Sequence, residues 1–192
     1  MKIKTILVLP MVVGLIMLMP AQESKKMNSK PEQSERAIFA GGCFWGMEYY
    51  FQKQKGVIDT TAGYCGGHTP NVTSRQVSAG KTGHAEALEV VFDPSKVTYE
   101  ELTRLFFEIH DPTQLNRQGD DVGEEYRSEI FYLDDKQKEA GAKLITLLKE
   151  KGLKVVTRLT KAGAFWPAET RHQDYFKRKG GTPPCHFYTK RF

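Results

Sequence analysis

The sequence predicts an α+β domain, a two-layer α/β sandwich in which helices pack against a mixed sheet. Stretches with the two-residue period of strands and stretches with the period of helices alternate irregularly between residues 37 and 179. Within residues 58–92 we predict two strands with no helix between them, whereas a doubly wound parallel sheet places a helix after each strand. At 192 residues the chain is long enough for one core, and we expect that core to be ferredoxin-like, with no second domain.

The first predicted elements lie on either side of a glycine turn. The apolar run 37–40 predicts a short buried strand, and Met47, Tyr50 and Phe51 recur at the spacing of a helix that follows the turn. Residues 56–64 include several β-branched side chains, which predicts a second strand. The loop after this strand is rich in glycine and long enough to serve a binding or catalytic site.

The third predicted strand carries a carboxyl group among apolar side chains. Residues 84–92 alternate, so that Glu86 shares one face of the strand with Leu88, Val90 and Phe92. A carboxyl in such surroundings has a raised pKa and holds a proton at neutral pH. The pattern therefore predicts that Glu86 can act as a general acid.

The second half of the chain begins with a helix signal. Thr98 and Glu101 have the spacing of a capping box, and apolar residues continue at helical spacing to Ile109. The elements predicted after this helix are a polar loop over 110–125, a strand over 126–133, a helix from Asp134 and Asp135 to Lys149, a strand over 153–159 and a short helix over 172–179.

The N-terminal residues differ in composition from the rest of the chain. Residues 1–21 begin with Lys2 and Lys4 and continue with about fifteen mostly apolar residues, which resembles a secretory signal peptide more than a membrane span of ~20 residues. An uncleaved anchor is the alternative. Residues 22–36 are polar and predict a flexible linker, which leaves a single domain at 37–192. We therefore expect an exported protein of the periplasm or cell envelope, with any membrane tether confined to the N-terminal segment.

The composition argues against several classes of function. The formal net charge is only +5, and no basic run with interleaved aromatic residues is present, so we expect no nucleic-acid partner. The three cysteines, at positions 43, 65 and 185, are too few for a disulfide framework and include no C-x-x-C pair. The acidic loop does not match the spacing of a calcium site. We therefore expect no metal ion and no cofactor, and no feature argues against a monomer.

Cys43 lies in the glycine turn between the first strand and the first helix. Free N–H groups and the helix dipole favour a thiolate at a helix N-terminus, and we expect the glycines to let a small substrate approach the backbone. Such a cysteine is either a reactive thiol or a small core residue. Two further alternatives are a dyad of Cys43 and His84 in an acyl hydrolase, and a binding module whose aromatic residues line a ligand groove.

Five motifs follow one another in order along the chain. They are Gly42-Cys43-Phe44-Trp45-Gly46, Gly63-Tyr64, Thr82-Gly83-His84-Ala85-Glu86, Gly119-Asp120-Asp121-Val122-Gly123 with Tyr126-Arg127-Ser128, and His172-Gln173-Asp174-Tyr175-Phe176. On these motifs, residues 37–188 resemble the peptide methionine sulfoxide reductases of the A type. The resemblance implies a peptide-methionine (S)-S-oxide reductase that repairs oxidised proteins by reducing methionine-S-sulfoxide, free or protein-bound.

The same resemblance implies roles for residues around the glycine turn. Cys43 corresponds to the nucleophile that attacks the sulfoxide sulfur. Phe44 and Trp45 correspond to the apolar pocket for the methyl group of the substrate. Glu86 corresponds to the acid that protonates the sulfoxide oxygen, in agreement with its position on the alternating strand.

Other site residues also come from the resemblance. Tyr64 and Tyr126 correspond to two tyrosines whose hydroxyl groups hold the sulfoxide oxygen, and Asp121 corresponds to an aspartate that organises the site. The chain has Asp120 where the family usually has asparagine, and an acidic pair at 124–125 where Thr-Gln is common. These differences predict a more acidic rim around the site.

The resemblance implies recycling through a second cysteine. Cys185, in the glycine- and proline-rich tail, corresponds to a recycling cysteine that condenses with the sulfenic acid formed on Cys43. We expect Gly180 and Gly181 to let the tail swing to Cys43, and a thioredoxin or thioredoxin-like reductant to open the disulfide. Cys65 stays an alternative partner for Cys43.

Overall fold

The structure is a computed structural model, and it describes residues 33–192. The predicted leader and the predicted linker up to residue 32 lie outside the described residues. Within the part that is described, no helix combines the length and the apolar character that a membrane span requires.

Eight strands and five α-helices make up the described chain. The strands are β1 (Glu35–Gly41), β2 (Val57–Cys65), β3 (Ala85–Phe92), β4 (Arg117–Gln118), β5 (Asp121–Val122), β6 (Ser128–Tyr132), β7 (Arg158–Lys161) and β8 (Trp166–Pro167). The helices are α1 (Phe44–Phe51), α2 (Ser74–Ser78), α3 (Tyr99–Ile109), α4 (Asp135–Glu150) and α5 (Tyr175–Lys179). A 3-10 turn covers Glu124–Tyr126.

Six of the strands form one mixed sheet in the order β7-β6-β1-β3-β2-β8. All neighbouring pairs are antiparallel except β6 and β7, which are parallel. The strands β4 and β5 form a separate two-stranded hairpin. The α+β prediction, with a mixed sheet and helices against it, is confirmed.

The main core lies between one face of the sheet and the helices α1, α3 and α4. Phe39 of β1 is fully buried there, and its ring stacks on Phe51 of α1 and on Phe106 of α3, with centroid distances of 5.4 and 5.1 Å. Leu144 and Leu148 of α4 complete this layer. Aromatic contacts at these distances add to the free energy gained by burial, so the end of β1 that carries the glycine turn is held firmly.

The opposite face of the sheet has a smaller core. Cys65, Ala85 and Phe131 belong to it, and Phe165 packs against it. Arg127 and Glu129 form an ion pair there with both side chains buried, 2.6 Å between Nε and Oε2. Because successive strand residues point to opposite faces, Tyr64 and Glu86 lie on the helix side of the sheet, whereas Cys65 lies on the other side.

Three predicted elements need correction. The first strand begins at Glu35, so the last two residues of the predicted linker pair with β3 instead. A short helix, α2, does lie between the second and third strands, although these two strands are antiparallel and the sheet is not doubly wound. Tyr126 belongs to the 3-10 turn, and the strand predicted from residue 126 begins at Ser128.

The strand predicted at residues 153–159 is largely wrong. Regular pairing begins only at Arg158 and continues to Lys161. The backbone N–H of Val156 donates to the carbonyl of Pro112 in a loop, at 2.9 Å, rather than to a strand. A run of β-branched residues expresses a preference for extended backbone, but it does not supply the partner strand that a sheet requires.

Candidate active site

Cys43 is the N-cap residue of α1, at the point where β1 turns into the helix. Gly42 before it has a φ of +92°, a conformation that glycine adopts without strain. The backbone N–H groups of Gly46 and Met47 donate to the carbonyl of Cys43, at 3.1 and 3.4 Å. The predicted position of Cys43 at a strand-to-helix turn is thus confirmed.

The ionisation expected of Cys43 is not found in this arrangement. The thiol has its pKa raised, first by a hydrogen bond to Cys185, then by burial and by the nearby carboxyl of Glu86. The backbone N–H of Trp45 acts in the opposite direction, as expected for a helix N-terminus, but its effect is smaller. Cys43 is therefore a thiol when the site is at rest.

Cys185 has its pKa lowered, first by the hydrogen bond from the Cys43 thiol and further by His186. Sγ of Cys185 is 3.2 Å from Nδ1 of His186. The carboxyl of Asp121 also contacts this sulfur, and burial together with Cys185 raises the pKa of Asp121 to about 6. Both cysteines are free and partly exposed.

The tail that carries Cys185 is already docked beside Cys43. Gln118 donates from Nε2 to the carbonyl of Cys185 at 3.4 Å, and the Tyr50 hydroxyl donates to the carbonyl of His186 at 3.2 Å. The expected swing about Gly180 and Gly181 is therefore not needed to bring the thiols together, although both glycines are exposed and have positive φ values.

The glycines of the turn make room for protein side chains rather than for substrate. A Cβ on Gly42 would lie 2.5 Å from Cβ of Gln118, and one on Gly46 would lie 2.2 Å from Nδ1 of His186. The expectation that these glycines admit a small substrate to the backbone is therefore wrong. They admit the two residues that hold the Cys185 segment in place.

Glu86 has the environment that its strand position predicts. The side chain is buried, and the N–H of Phe44 donates to its Oε2 at 3.1 Å. Burial raises the pKa of Glu86 to about 8 despite this hydrogen bond, and the negative charges of Asp121 and Glu125 act in the same direction. The carboxyl thus holds a proton at neutral pH.

The two tyrosines and Asp121 surround this carboxyl. Tyr64 pairs with Glu86 across β2 and β3, and its hydroxyl donates to Oε2 of Glu169 at 3.3 Å. Burial, together with the nearby acidic groups of Glu86 and Asp121, raises the pKa of Tyr126 above its ordinary value. Each hydroxyl is therefore neutral and able to donate a hydrogen bond.

Phe44 and Trp45 form an aromatic wall beside the thiol. Phe44 is buried against Tyr64 and His172, with ring centroids 5.8 and 5.4 Å away. Trp45 stacks on Tyr175 of α5 at 3.9 Å with the ring planes 7° apart, and it is partly exposed. The helix α5 thus fixes the side chain that the resemblance assigns to the methyl pocket.

Two predicted alternatives do not fit this geometry. His84 accepts from the N–H of Gly67 at Nδ1 (3.1 Å), and its Nε2 lies 2.8 Å from the carbonyl of Thr69, so both ring nitrogens are used by the loop after β2. Cys65 is fully buried on the opposite face of the sheet, where burial raises its pKa to about 11. Within residues 33–192 there is no cluster of side chains suited to hold a metal ion.

Sequence reasoning did not identify three residues of the site. His186 contacts the sulfur of Cys185, Gln118 fills the space beside Gly42, and Glu169 accepts a hydrogen bond from the Tyr64 hydroxyl. The residues adjoining a predicted cysteine were one available signal, since His186 directly follows Cys185. No local pattern points to Gln118.

Comparisons with known proteins agree with this geometry. A protein-family model described as "Peptide methionine sulfoxide reductase" matches residues 35–192. A relative from Nautilia profundicola, "Peptide methionine sulfoxide reductase MsrA", is 51% identical over 150 residues, which cover 78% of this chain and 87% of that protein. The reduced form of Mxr1 from Saccharomyces cerevisiae aligns with a TM-score of 0.78 and 34% identity, and covers 85% of this chain and 97% of Mxr1.

The yeast protein has also been solved with a partner. Mxr1 in complex with Trx2 aligns with a TM-score of 0.57 and 26% identity, and covers 85% of this chain and 96% of that one. The family match spans nearly all of the described residues and includes the five ordered motifs. The chain therefore belongs to the peptide methionine sulfoxide reductase family.

Proposed function

We propose that the chain reduces methionine-S-sulfoxide, free or in proteins, with Cys43 as the nucleophile and Glu86 as the acid. The observation that carries the proposal is that the residue after Cys43 binds the protonated carboxyl of Glu86, so the thiol and the acid lie at the same place. Cys43 is the N-cap of α1, and the next residue, Phe44, donates its N–H to the carboxyl of Glu86 at 3.1 Å. A sulfoxide oxygen leaves only when it is protonated, so nucleophile and acid have to address one substrate together.

The first step adds a proton to the sulfoxide oxygen and removes one from Cys43. Glu86 gives its proton to the sulfoxide oxygen, held by the hydroxyl groups of Tyr64 and Tyr126. The Cys43 thiol gives its proton to the Cys185 thiolate along their hydrogen bond. Cys43 then attacks the sulfur, and the protonated oxygen passes to the Cys43 sulfur as its bond to the methionine sulfur breaks. Methionine leaves, and Cys43 becomes a sulfenic acid. The aromatic wall of Phe44 and Trp45 encloses the substrate methyl group.

The second step regenerates the enzyme. Cys185 attacks the sulfenic acid, water leaves, and a disulfide joins Cys43 and Cys185. A thioredoxin-like protein then reduces this disulfide, as the complex of the yeast relative with Trx2 supports. An acyl hydrolase built on Cys43 and His84 is disfavoured, because both ring nitrogens of His84 have backbone partners.

A single assay tests the assignment. Incubation of a peptide methionine-S-sulfoxide with dithiothreitol and the protein should yield methionine, and Cys43→Ser should abolish the yield. Cys65→Ala is the matched control, since Cys65 lies on the opposite face of the sheet, and it should keep turnover. Persisting turnover in Cys43→Ser would contradict the proposal.

Mass spectrometry of protein oxidised by substrate should show a disulfide bond between Cys43 and Cys185. A disulfide bond between Cys43 and Cys65 would instead make Cys65 the recycling cysteine.

We further propose that residues 1–21 direct the protein to the periplasm or cell envelope, as a cleaved signal or an N-terminal anchor, and that it acts as a monomer. The basic start and the apolar run of the segment support export. Fractionation of cells that produce the full chain, with light scattering on the released protein, tests both. Activity found only in the cytoplasm would contradict export.

A further inference from the structure

We infer that His186 is a catalytic base of the second step: its Nδ1 takes the proton of the Cys185 thiol and then returns it to the hydroxide that leaves Cys43. The inference rests on the proposed function, in which Cys185 attacks the sulfenic acid of Cys43. Nothing in the motifs that identify the family assigns a role to this histidine.

The hydrogen bonds of the ring define which nitrogen is free to act as a base. Nε2 of His186 lies 2.8 Å from the carbonyl oxygen of Gly41. A carbonyl can only accept, so Nε2 carries the ring proton of the neutral imidazole. Nδ1 is then the unprotonated nitrogen, and it is the one that lies 3.2 Å from Sγ of Cys185. The ring thus presents its lone pair to the thiol.

The ring cannot easily turn away from this orientation. His186 is 1% exposed, and its imidazole occupies the space beside Gly46, where a Cβ would approach Nδ1 to 2.2 Å. The Tyr50 hydroxyl holds the backbone carbonyl of His186 at 3.2 Å. A buried ring with a fixed tautomer is suited to proton transfer, because no reorganisation precedes the step.

A base is needed because of what the first step does to the pair of thiols. At rest, the hydrogen bond from the Cys43 thiol is the largest influence that keeps Cys185 ionised. Once Cys43 has given up its proton and become a sulfenic acid, this thiol donor no longer exists and Cys185 carries the proton. The imidazolium that forms when Nδ1 takes this proton favours the thiolate, both by its hydrogen bond to the sulfur and by its charge. His186 can therefore ionise Cys185 when Cys185 has to attack.

The step balances without any external reagent. Nδ1 of His186 accepts the S–H proton of Cys185, and the thiolate attacks the sulfur of the Cys43 sulfenic acid. The new S–S bond forms as the S–O bond of Cys43 breaks, so the Cys185 sulfur is oxidised and the Cys43 sulfur is reduced to the disulfide level. The imidazolium returns its proton to the leaving hydroxide, and one water molecule is released.

Other titratable groups that face the ring have to be considered. The Asp121 carboxyl of the β4–β5 hairpin attracts a charged His186. Burial lowers the pKa of His110, at the end of α3, to about 3, so this ring is uncharged between pH 6 and 9 and does not repel it. The glycines of β1 and α1 that contact the ring contribute no charge. Asp121 has a pKa of about 6. It therefore titrates at the acidic end of the range from pH 6 to 9 that the experiment below covers.

The experiment measures the second step separately from the first. Protein without reductant is mixed with excess peptide methionine-S-sulfoxide from pH 6 to 9. Methionine released in the first turnover reports the first step, and thiol alkylation with mass spectrometry reports the disulfide. His186→Gln keeps an amide donor for the Gly41 carbonyl but has no base, and His68→Gln is the control on an exposed histidine. A thermal melt verifies that each variant is folded.

We expect the wild-type rate of disulfide formation to be nearly flat from pH 6.5 to 9, since proton transfer between Cys185 and His186 leaves the net charge of the pair unchanged. In His186→Gln the rate should fall about 30-fold at pH 7, and by about tenfold for each further pH unit below the ordinary thiol pKa of ~8.5. The sulfenic acid on Cys43 should then accumulate and be trapped by dimedone.

Three results would overturn the inference. The first, which the wild-type protein alone can give, is a rate of disulfide formation that rises tenfold per pH unit up to the ordinary thiol pKa. The second is an unchanged rate and profile in His186→Gln. The third is an equal loss at every pH, which would give His186 only an anchoring role. Failure of the proposed function is distinguishable from all three, because the wild-type protein would then release no methionine.

Discussion

Glu86 shows how two opposing influences set the chemistry of a single residue. The N–H of Phe44 favours the carboxylate, whereas burial and the nearby charges of Asp121 and Glu125 favour the acid. Burial is the largest of these influences, and the pKa of about 8 means that Glu86 holds its proton at neutral pH. The same residue then loses that proton over a narrow alkaline range.

We therefore expect the first-turnover rate to fall as the pH rises through about 8, where Glu86 ionises. Glu86→Gln keeps the shape of the side chain but cannot give a proton, so the rate should fall by roughly 10²–10⁴-fold at pH 7. The inflection near pH 8 should also disappear. Rapid-quench measurement of methionine from pH 6 to 10 tests both points. A fast variant that retains the inflection would mean that another group supplies the proton.

At this scale the sequence predicts residues whose role follows from local periodicity. Alternation along β3 is sufficient to place Glu86 among apolar side chains, because the strand period is a property of neighbouring residues. His186 acts through contacts with a backbone 145 residues away in sequence. Its role follows from the docking of the tail, which no local pattern encodes.

Among the elements, α1 and α5 are joined by a small buried polar network. Glu48 of α1 is 2% exposed, and the Thr60 hydroxyl donates to its Oε1 at 3.3 Å. Gln52 donates to Oδ1 of Asp174, the N-cap residue of α5, at 2.7 Å. Burial raises the pKa of Glu48 to about 7, and the charge of Asp174 contributes. Because α5 carries the ring on which Trp45 stacks, this network also supports the position of Trp45.

The network makes stability depend on pH. The carboxyl of Glu48 titrates at about 4.5 when unfolded and at about 7 when folded, so its favourable contribution is complete below the lower value and is lost as the pH rises through 7. We expect Glu48→Gln to match the wild type at pH 5 and to exceed it by about 1–3 kcal/mol at pH 9. Urea unfolding at the two pH values measures this. An equal difference at both would show that ionisation of Glu48 is not involved.

Elements with local signals are well predicted, and elements that depend on a distant partner are not. The capping box at Thr98 begins α3 as expected, and its hydrogen bonds involve residues three positions apart. The segment at 153–157 has strand-forming residues, yet its pairing is decided by the position of β6 and by the loop at Pro112. Strand propensity describes a preference of the residue for extended backbone, whereas strand formation also requires a neighbouring strand with which to pair.

At the scale of the whole molecule, the chain end is held at Cys185 and again after it. Cys185 itself lies against the β4–β5 hairpin, where a Cβ on Gly119 would be 3.6 Å from its Cα. After it, Arg191 donates from Nε to the carbonyl of Phe107 at 2.7 Å, and the Phe192 ring packs against Phe107 at 6.4 Å. The reduced enzyme thus keeps its two thiols together by docking the C-terminus on α3. Attack on Cys43 then resembles an intramolecular reaction between preorganised groups.

This docking predicts a specific effect of Arg191→Ala. Arg191 also donates from Nη2 to the carbonyl of His110 at 3.3 Å and from its backbone N–H to Glu108 at 3.3 Å. Each side-chain hydrogen bond contributes about 1 kcal/mol net, so their loss lowers the population of the docked tail. We expect disulfide formation after the first turnover to slow by about threefold or more, because Cys185 then spends less time beside Cys43.

The matched control for Arg191→Ala is Lys190→Ala, whose side chain is exposed on the same tail. Both variants are assayed by thiol alkylation against time from pH 6 to 9, the range that is also used for His186→Gln. Loss of docking should lower the rate by the same factor at every pH, since it changes the proximity of the thiols and not their protonation. If Arg191→Ala and Lys190→Ala form the disulfide equally fast, the anchor on α3 has no part in bringing Cys185 to Cys43, and the contacts of Gln118 and His186 alone are sufficient.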